Sequence, residues 1–524
     1  MARIIDTALL SPEGYPDADG RIRSLSENHN DWVYNGLDCA VTLEIRNTLL
    51  QQLDPITRKT YNFSLALQGP IFEMSLRGLL VDKARRAEVL AKYRNQLMQI
   101  GTQLDAIIND GIGLSLNWRS NAQLKKLFYD VMSLPPVRKR DANGAMSPTV
   151  NREALEKLTQ YMMAEPLCNR ILLLRDIDKK RSFLETELDA DSRMRSNYNI
   201  AGTNTGRLSS AVSDFGTGTN SQNVDRDLRS VFVADKGMKL GNLDLEQADA
   251  RNVGAINWNL FVGSHGEDFA GAYLNACESG DLHTTVCRMA WHDLNWADDA
   301  KANKVVAEAI AYRNDSYRQL AKKLGHGTNY YGTPPTMARH TKVDRKIIEE
   351  FQARYFRGFP AIPAWHEWVK SELKSTHQLT TLMGRRRSFF GRAEEASTLR
   401  EAIAFAPQSM TADEVDTGLL RLFRANRVQL LAQVHDSILI QYPEEQEDEI
   451  IPWAIDLMKV TIPLTKGREF HVPVDAKVGW NWGDTTFEKD GKTVKENPDG
   501  LMKYKGHDPR KRTEKVPLDI RSLL

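Results

Sequence analysis

Gly241-Asn-Leu-Asp244-Leu-Glu-Gln-Ala-Asp249-Ala-Arg251 is the stretch on which the fold turns. The apolar run from Met238 reads as a strand that ends at Leu245, and the residues from Glu246 onward read as a helix. Asp244 therefore falls near the end of an apolar strand, where a lone carboxylate is costly unless it is paired or bound to metal. The position suits a metal ligand, and it equally suits a helix N-cap.

A second stretch, Leu431-Ala-Gln-Val-His435-Asp436-Ser-Ile-Leu-Ile440, consists of two apolar runs around a His-Asp pair and reads as a β-hairpin. Two-residue hairpin loops favour Asn-Gly or Asp-Gly because their backbone needs positive φ, so His-Asp is not chosen for turn chemistry. Asp436 at such a tip is either a solvated turn residue or the second carboxylate of a metal pair. Two ions about 3.5–4 Å apart could clamp both the attacking and the leaving oxygen of a phosphoryl transfer.

Between these stretches lies Arg318-Gln-Leu-Ala-Lys322-Lys-Leu-Gly-His326-Gly-Thr-Asn-Tyr330-Tyr-Gly332. Arg318, Lys322, His326 and Tyr330 recur at every fourth position, and each step drifts only about 40° around a helix, so all four are expected on one face. That face would offer a bidentate cation, an ammonium and two rings, which is what a nucleoside triphosphate needs. A solvated basic helix is the plainer alternative. Gly325 and Gly327 each cost a helix about 1 kcal/mol relative to Ala, so something is expected to approach the backbone there.

The rest of the chain sets bounds. At 524 residues it is too long for one core. No apolar run approaches the roughly 20 residues that span a bilayer, and Met1-Ala-Arg-Ile-Ile-Asp6 has no leader pattern, so a cytoplasmic protein is expected. Cys39, Cys168, Cys277 and Cys287 are scattered without a C-x-x-C pair, which argues against disulfides and structural zinc and predicts buried thiols. The net charge of +1 gives no hint of a polyanionic partner, yet Tyr317 to Gly358 carries nine Lys/Arg against three Asp/Glu, and Arg385-Arg386-Arg387 follows. Helical patterns cover about Leu37–Leu53, Ser64–Asp110 with a break at Arg77-Gly78, Arg152–Leu188 and most of Asp268–Leu382. Asp141-Ala-Asn-Gly144 marks a loop, residues 201–223 have the composition of a linker, and residues from about Thr485 onward read as a poorly packed polar tail.

Taken together and in order, with Asp436 placed 192 residues after Asp244, the three stretches resemble motifs A, B and C of the family A DNA polymerases, the bacterial polymerase I enzymes and their phage relatives. Thr205-Gly-Arg207-Leu-Ser-Ser with Asn220-Ser-Gln222-Asn223 resembles the family's primer–template segment, which displaces the linker reading. Gly280-Asp-Leu-His283 resembles the segment whose histidine touches the incoming phosphates. Thr381-Leu-Met-Gly-Arg385-Arg386 and the run from Arg400 to Pro407-Gln408 resemble the later fingers and palm, while Ser75-Leu-Arg-Gly-Leu-Leu-Val-Asp82 and Leu116-Asn-Trp-Arg-Ser-Asn-Ala-Gln-Leu124 look like the thumb.

The resemblance implies an α+β right hand: a remnant of a 3′–5′ exonuclease domain at 1–63, thumb at 64–190, palm at 191–264 and 400–483 with an antiparallel sheet, helical fingers at 265–399, and a polar tail at 484–524. It implies transfer of dNTPs to a primer 3′-hydroxyl with two Mg²⁺ ions, for which Mn²⁺ could substitute, held by Asp244, Asp436 and the Leu245 carbonyl. Arg318 and Lys322 would grip the phosphates with His283, and Lys322 would protonate the leaving pyrophosphate. His326, Tyr330, Gln247 and Asp249 would line the nucleotide, and Arg207, Asn220, Gln222, Arg400, Gln408 and His435 would meet the primer–template. A monomeric enzyme of phage replication is expected.

Several positions depart from the family pattern. Asp249 stands where a longer glutamate excludes the 2′-hydroxyl, so weaker ribose discrimination is expected. His326 replaces a Phe or Tyr, Ser437 replaces a glutamate after the His-Asp pair, and Ala404 replaces a common asparagine. Tyr34-Asn-Gly-Leu-Asp38 resembles the last motif of the exonuclease domain, but about 30 residues precede it and the Asp-x-Glu motif has no room. The expectation is that this polypeptide alone does not proofread, the exonuclease domain being either lost or carried on a separate chain, with that chain or a processivity factor as a partner. A single-subunit RNA polymerase is disfavoured by Asp249 and by the lack of room for a promoter-binding domain, and an inactive DNA-binding scaffold by the retention of Asp244, Asp436, Arg318 and Lys322.

Overall fold

In the computed structural model, which describes residues 15–16, 22–23, 27–140, 144–214, 216–312, 315–487, 494–508 and 510, five strands form one antiparallel sheet around Asp244. They are β1 (Met238–Leu245), β2 (Gln429–Val434), β3 (Ser437–Pro443), β4 (Val474–Gly479) and β5 (Met502–Lys503), in the order β2-β3-β1-β4-β5. Successive side chains of a strand point to opposite faces, and here each face meets a core of its own. Ile438, Ile440 and Tyr442 enter the larger core with Leu243 and Val478, whereas Leu439 enters a smaller one with Leu240, Leu431 and Trp482. Burial on both faces is why these strands read as unbroken apolar runs.

The helix Glu447–Met458 packs against β1, β3 and β4 on the larger-core face, and two longer helices share that core. Helix α1 (Ala248–His265) is buried over most of its circumference, Arg251, Asn252 and Asn257 included. A lobe of helices extends from it and contains α2 (Leu282–Ala290) and α3 (Tyr317–Asn329), followed by Arg345–Gly358 and Ala361–Thr376. Asn329 ties that lobe together, donating to the Tyr273 hydroxyl at 2.7 Å and accepting from the Tyr355 hydroxyl at 2.9 Å. The 30-residue helix α4 (Ala396–Ala425) then returns against α1.

On the other side, the helix Lys83–Ile112, capped by Asp82 through Ala84 N and Arg85 N, packs on Glu165–Leu184 around Leu104, Phe128, Leu155 and Ile171. The expected break at Arg77-Gly78 is real: Gly78 has φ 64°, and a Cβ there would lie 2.9 Å from the Met194 carbonyl oxygen. The arrangement is α+β, as expected.

Three expectations need correction. Among the described residues, the stretch from Thr485 is not a loose tail: β5 pairs with β4, and Asp508 is buried. Asp508 and Glu447 hold Lys239 Nζ at 2.7 and 2.6 Å, Arg510 grips Asp508, and Lys239 lies 4.3 Å from the centre of the Trp480 ring. That charge network, together with Leu501 in the smaller core and the pairing of β5 with β4, fastens a polar segment to the sheet. Cys39 is exposed, unlike the other three cysteines. Tyr330 lies just past the end of α3 as its C-cap, so only Arg318, Lys322 and His326 share the helix itself. The expectations placed on residues 1–6, 141–143 and 511–524 lie outside the described residues.

Candidate active site

The predicted hairpin forms: Val434 pairs with Ser437, leaving His435 and Asp436 as the loop, with His435 at φ 56°. Asp244 sits directly opposite Ser437 on one side and Asp475 on the other, so Asp436 is carried to the same end of the sheet. Leu245, whose carbonyl was the expected third ligand, closes β1, and its N–H donates to the Asp436 carbonyl oxygen at 3.1 Å. Ser437 turns its hydroxyl back to the Val434 carbonyl at 2.9 Å and offers nothing to the pair of carboxylates.

Burial, followed by the charge of Asp436, pushes the Asp244 carboxyl up to about 7, and Asp475 adds to this against Lys477 and Arg226. The Asp436 carboxyl is also raised, by burial first. Two such groups left without a counter-charge are costly, and a hard cation with oxygen ligands relieves that cost. Among the described residues no group of three or more His, Cys, Asp or Glu gathers as a metal cage. Two carboxylates fit Mg²⁺, which commonly takes one or two and completes its shell with water and substrate phosphate.

A chain of amides anchors the hairpin tip. Gln222 Nε2 donates to Gln433 Oε1 at 2.8 Å, and Gln433 Nε2 donates to the His435 carbonyl at 2.6 Å. Gln433 escaped the sequence reading, although a glutamine in an apolar strand run was its signal. Asn220 spends its side-chain oxygen on the Gln222 N–H and the Ser210 hydroxyl, so it shapes the turn that presents Gln222. The neighbouring Gly206 has φ 83° and lies under Arg385, whose guanidinium would be 2.4 Å from a Cβ there and is itself fixed by Asp413.

Helix α3 starts at a capping box of Ser316 and Gln319, which sets Arg318 in the first turn. Arg318 is paired with Asp281, the N-cap of α2, a partner the sequence reading did not name. Although burial alone would raise the Asp281 carboxyl, the Arg318 fork and the Thr284 hydroxyl hold it at about 2. His283, in the first turn of α2, is pushed down to about 4 by burial and by Arg318 and Lys322, so it is a neutral imidazole at pH 7. The His326 and Tyr330 rings meet edge to face at 4.7 Å. The close approaches expected at Gly325 and Gly327 come from Tyr355 and Met337, which is packing within the lobe.

Asp249 lies in the first turn of α1, where Arg207 reaches it at 3.3 Å and the Thr411 hydroxyl donates at 2.8 Å. The Tyr330 hydroxyl is buried beside it, and burial and this carboxylate raise the phenol's pKa well above its usual value. Gln247 caps α1 at φ 57°. With Asp281 and Arg318 it lines a cleft of about 670 Å³, whose outer wall adds Arg288, Lys301 and Lys304. Those three cations lie upstream of the basic stretch the sequence drew attention to. Arg400 is exposed and Gln408 half-buried on α4, and His435 is exposed at the hairpin tip.

Residues 87–484 match the model of DNA polymerase family A, which spans every one of these residues. The chain belongs to this family. A thermostable DNA polymerase I of Thermus filiformis is 27% identical over 383 residues, covering 70% of this chain and 41% of that protein. The DNA polymerase I of Treponema pallidum is 24% identical over 463 residues, covering 86% and 41%. The chain spans about half the length of the curated relatives it matches. Among solved structures, the POL domain of Pol1 from M. smegmatis, in complex with DNA primer-template and dNTP, superposes with a TM-score of 0.63 at 21% identity, over 80% of this chain and 69% of that one. The family's fold is thus the fold of this chain.

Proposed function

We propose that the chain carries out template-directed DNA synthesis by nucleotidyl transfer. The primer 3′-hydroxyl oxygen forms a bond to the α-phosphorus of a dNTP, the bond to the bridging oxygen breaks, and pyrophosphate leaves. The observation that carries this reading is the meeting of Asp244 and Asp436 at one end of the sheet, each with its carboxyl raised by burial. Asp244, Asp436 and the Leu245 carbonyl would hold two Mg²⁺, or Mn²⁺ in its place. Bound there, the ions would lower the pKa of the attacking hydroxyl and stabilise charge on the transferred group.

The remaining roles belong to side chains. Arg318 and Lys322 draw in the triphosphate, Lys322 supplies a proton to the departing pyrophosphate, and neutral His283 donates a hydrogen bond. His326 and Tyr330 present ring surface to the base, Gln247 borders the phosphates, and Asp249 meets the sugar. Arg207, Asn220, Gln222, Arg400, Gln408 and His435 face the primer–template, where minor-groove acceptors report pair geometry without reading sequence. The thumb, palm and fingers follow the boundaries given above.

On the motif variants Asp249, His326 and Ser437 we assign the chain to phage replication in a host cytoplasm. We add a separate exonuclease chain or a processivity factor as a partner of the polymerase.

Primer extension with dNTPs or rNTPs and Mg²⁺ tests the whole reading. Asp436→Asn should lose activity by about 10³-fold or more while still binding primer–template, on the scale of removing a group that acts in the transition state. Extension by that variant at the wild-type rate rejects the assignment, and DNA binding without extension in the wild type indicates a scaffold.

A further inference from the structure

Asp249 is one methylene shorter than the family's glutamate, yet it does not hang free. Its Oδ1 accepts from Thr411 Oγ1 at 2.8 Å and from Arg207 Nη2 at 3.3 Å. Asn252, one helical turn beyond Asp249 on α1, donates its side-chain amide to Thr411 Oγ1 at 3.2 Å and to Glu414 Oε2 at 3.0 Å. Two i,i+3 pairs, Asp249 with Asn252 on α1 and Thr411 with Glu414 on α4, therefore face each other across the contact between the two helices.

The proton count gives this network a direction. Thr411 has one hydroxyl proton and two acceptors within reach, Asp249 and the Pro407 carbonyl at 3.0 Å. By occupying the acceptor side of that hydroxyl, Asn252 leaves the proton to those two oxygens, and the charged carboxylate is the stronger acceptor. Asn252 and Glu414 are 0% and 1% exposed, so no water competes for their polar atoms from outside. Burial, with Asp413 and Asp249 adding to it, raises the Glu414 carboxyl to about 8, which leaves it neutral at pH 7. Arg207 is 38% exposed, whereas Thr411 is buried at 2%, so of the two partners of Asp249 only Thr411 is shielded from solvent.

We propose that Thr411, held in orientation by Asn252 and Glu414, is a positioning residue that fixes the Asp249 carboxylate and so sets how strictly the sugar pocket rejects a ribose 2′-hydroxyl. The proposal rests on the reading of Asp249 as the residue that meets the sugar. It places the sugar check in a pair of packed helices, with the short acid as only its exposed end.

The test compares kcat and KM for a dNTP and its matching rNTP in the purified full chain, for wild type, Thr411→Val, Thr411→Ser and Asp249→Ala. Losing a hydrogen bond to a charged group corresponds to about tenfold. Thr411→Val should therefore cut the dNTP-over-rNTP ratio of kcat/KM by about tenfold, through a lower KM for the rNTP, with kcat for the dNTP retained and Thr411→Ser restoring the ratio. If Thr411→Val does not fold, Thr411→Ala carries the same expectation. A wild-type ratio in the Val or Ala variant, with the ratio shifted in Asp249→Ala, overturns the positioning role and leaves Asp249 as an unaided gate. A wild-type ratio in Asp249→Ala overturns the gate itself, and the proposal with it.

Discussion

Arg318 and Asp281 meet fork to fork, Nε to Oδ2 at 2.9 Å and Nη2 to Oδ1 at 3.1 Å. The cation assigned to the incoming phosphates is thus already engaged, and a triphosphate must take it from a carboxylate. Asp281→Asn keeps the cap on α2 and removes the competing charge. The KM for dNTP should fall by about three- to tenfold with kcat little changed, as expected for a charged pair on this scale. A raised KM in steady-state assays would show instead that Asp281 aims Arg318.

Asp244 should lower stability in the absence of metal. Its folded carboxyl ionises near 7, above the ordinary carboxylate value. The cost is therefore absent below about pH 4 and grows until about pH 7. In EDTA at pH 8, Asp244→Asn should be more stable than wild type by about 1–3 kcal/mol in urea unfolding. Added Mg²⁺ should stabilise wild type and leave the Asn variant unmoved, and equal responses of the two proteins would refute the assignment.

Glu414 has the same sign in a site with no proposed metal ligand. With a folded value of about 8, it takes up a proton on folding between its unfolded pKa and 8, so stability falls as pH rises through that window. Glu414→Gln should gain about 1–2 kcal/mol at pH 8 and nearly nothing at pH 4.5. Parallel pH profiles for variant and wild type would show that the carboxyl is solvated.

Lys239, 1% exposed, sits between two carboxylates. Lys239→Met leaves Glu447 buried without a counter-charge beside Asp508, which Arg510 still holds, and should cost about 3–5 kcal/mol. Asp508→Asn should cost less, because Glu447 still answers the lysine. Chemical denaturation of both variants checks the ranking.

The motifs were legible because their chemistry forces unusual residues into regular patterns: a carboxylate at the end of an apolar strand, a His-Asp pair where turn residues belong, cations at every fourth position. Strand β1, the hairpin and α3 follow from those patterns almost residue for residue. What stayed hidden was pairing between distant segments. Nothing local marks Asp281 as the partner of Arg318, or Thr411 as that of Asp249, because each is an ordinary polar residue on a helix until two helices are packed. The polar C-terminal stretch misled for the same reason, since its attachment includes a buried ion pair with Lys239, more than two hundred residues earlier in the chain.

The sheet order bears on synthesis of the protein. Strand β1 is flanked by β3 and β4, both made long after it. On the ribosome, Asp244 emerges on a strand with both edges open, and those edges stay unpaired while the whole helical lobe is translated. Non-local pairing of this kind slows folding and leaves strand edges available to wrong partners. The residues that define the chemistry are therefore among the last to be assembled, and the nascent chain is exposed to misassociation for as long as the second carboxylate is still to come.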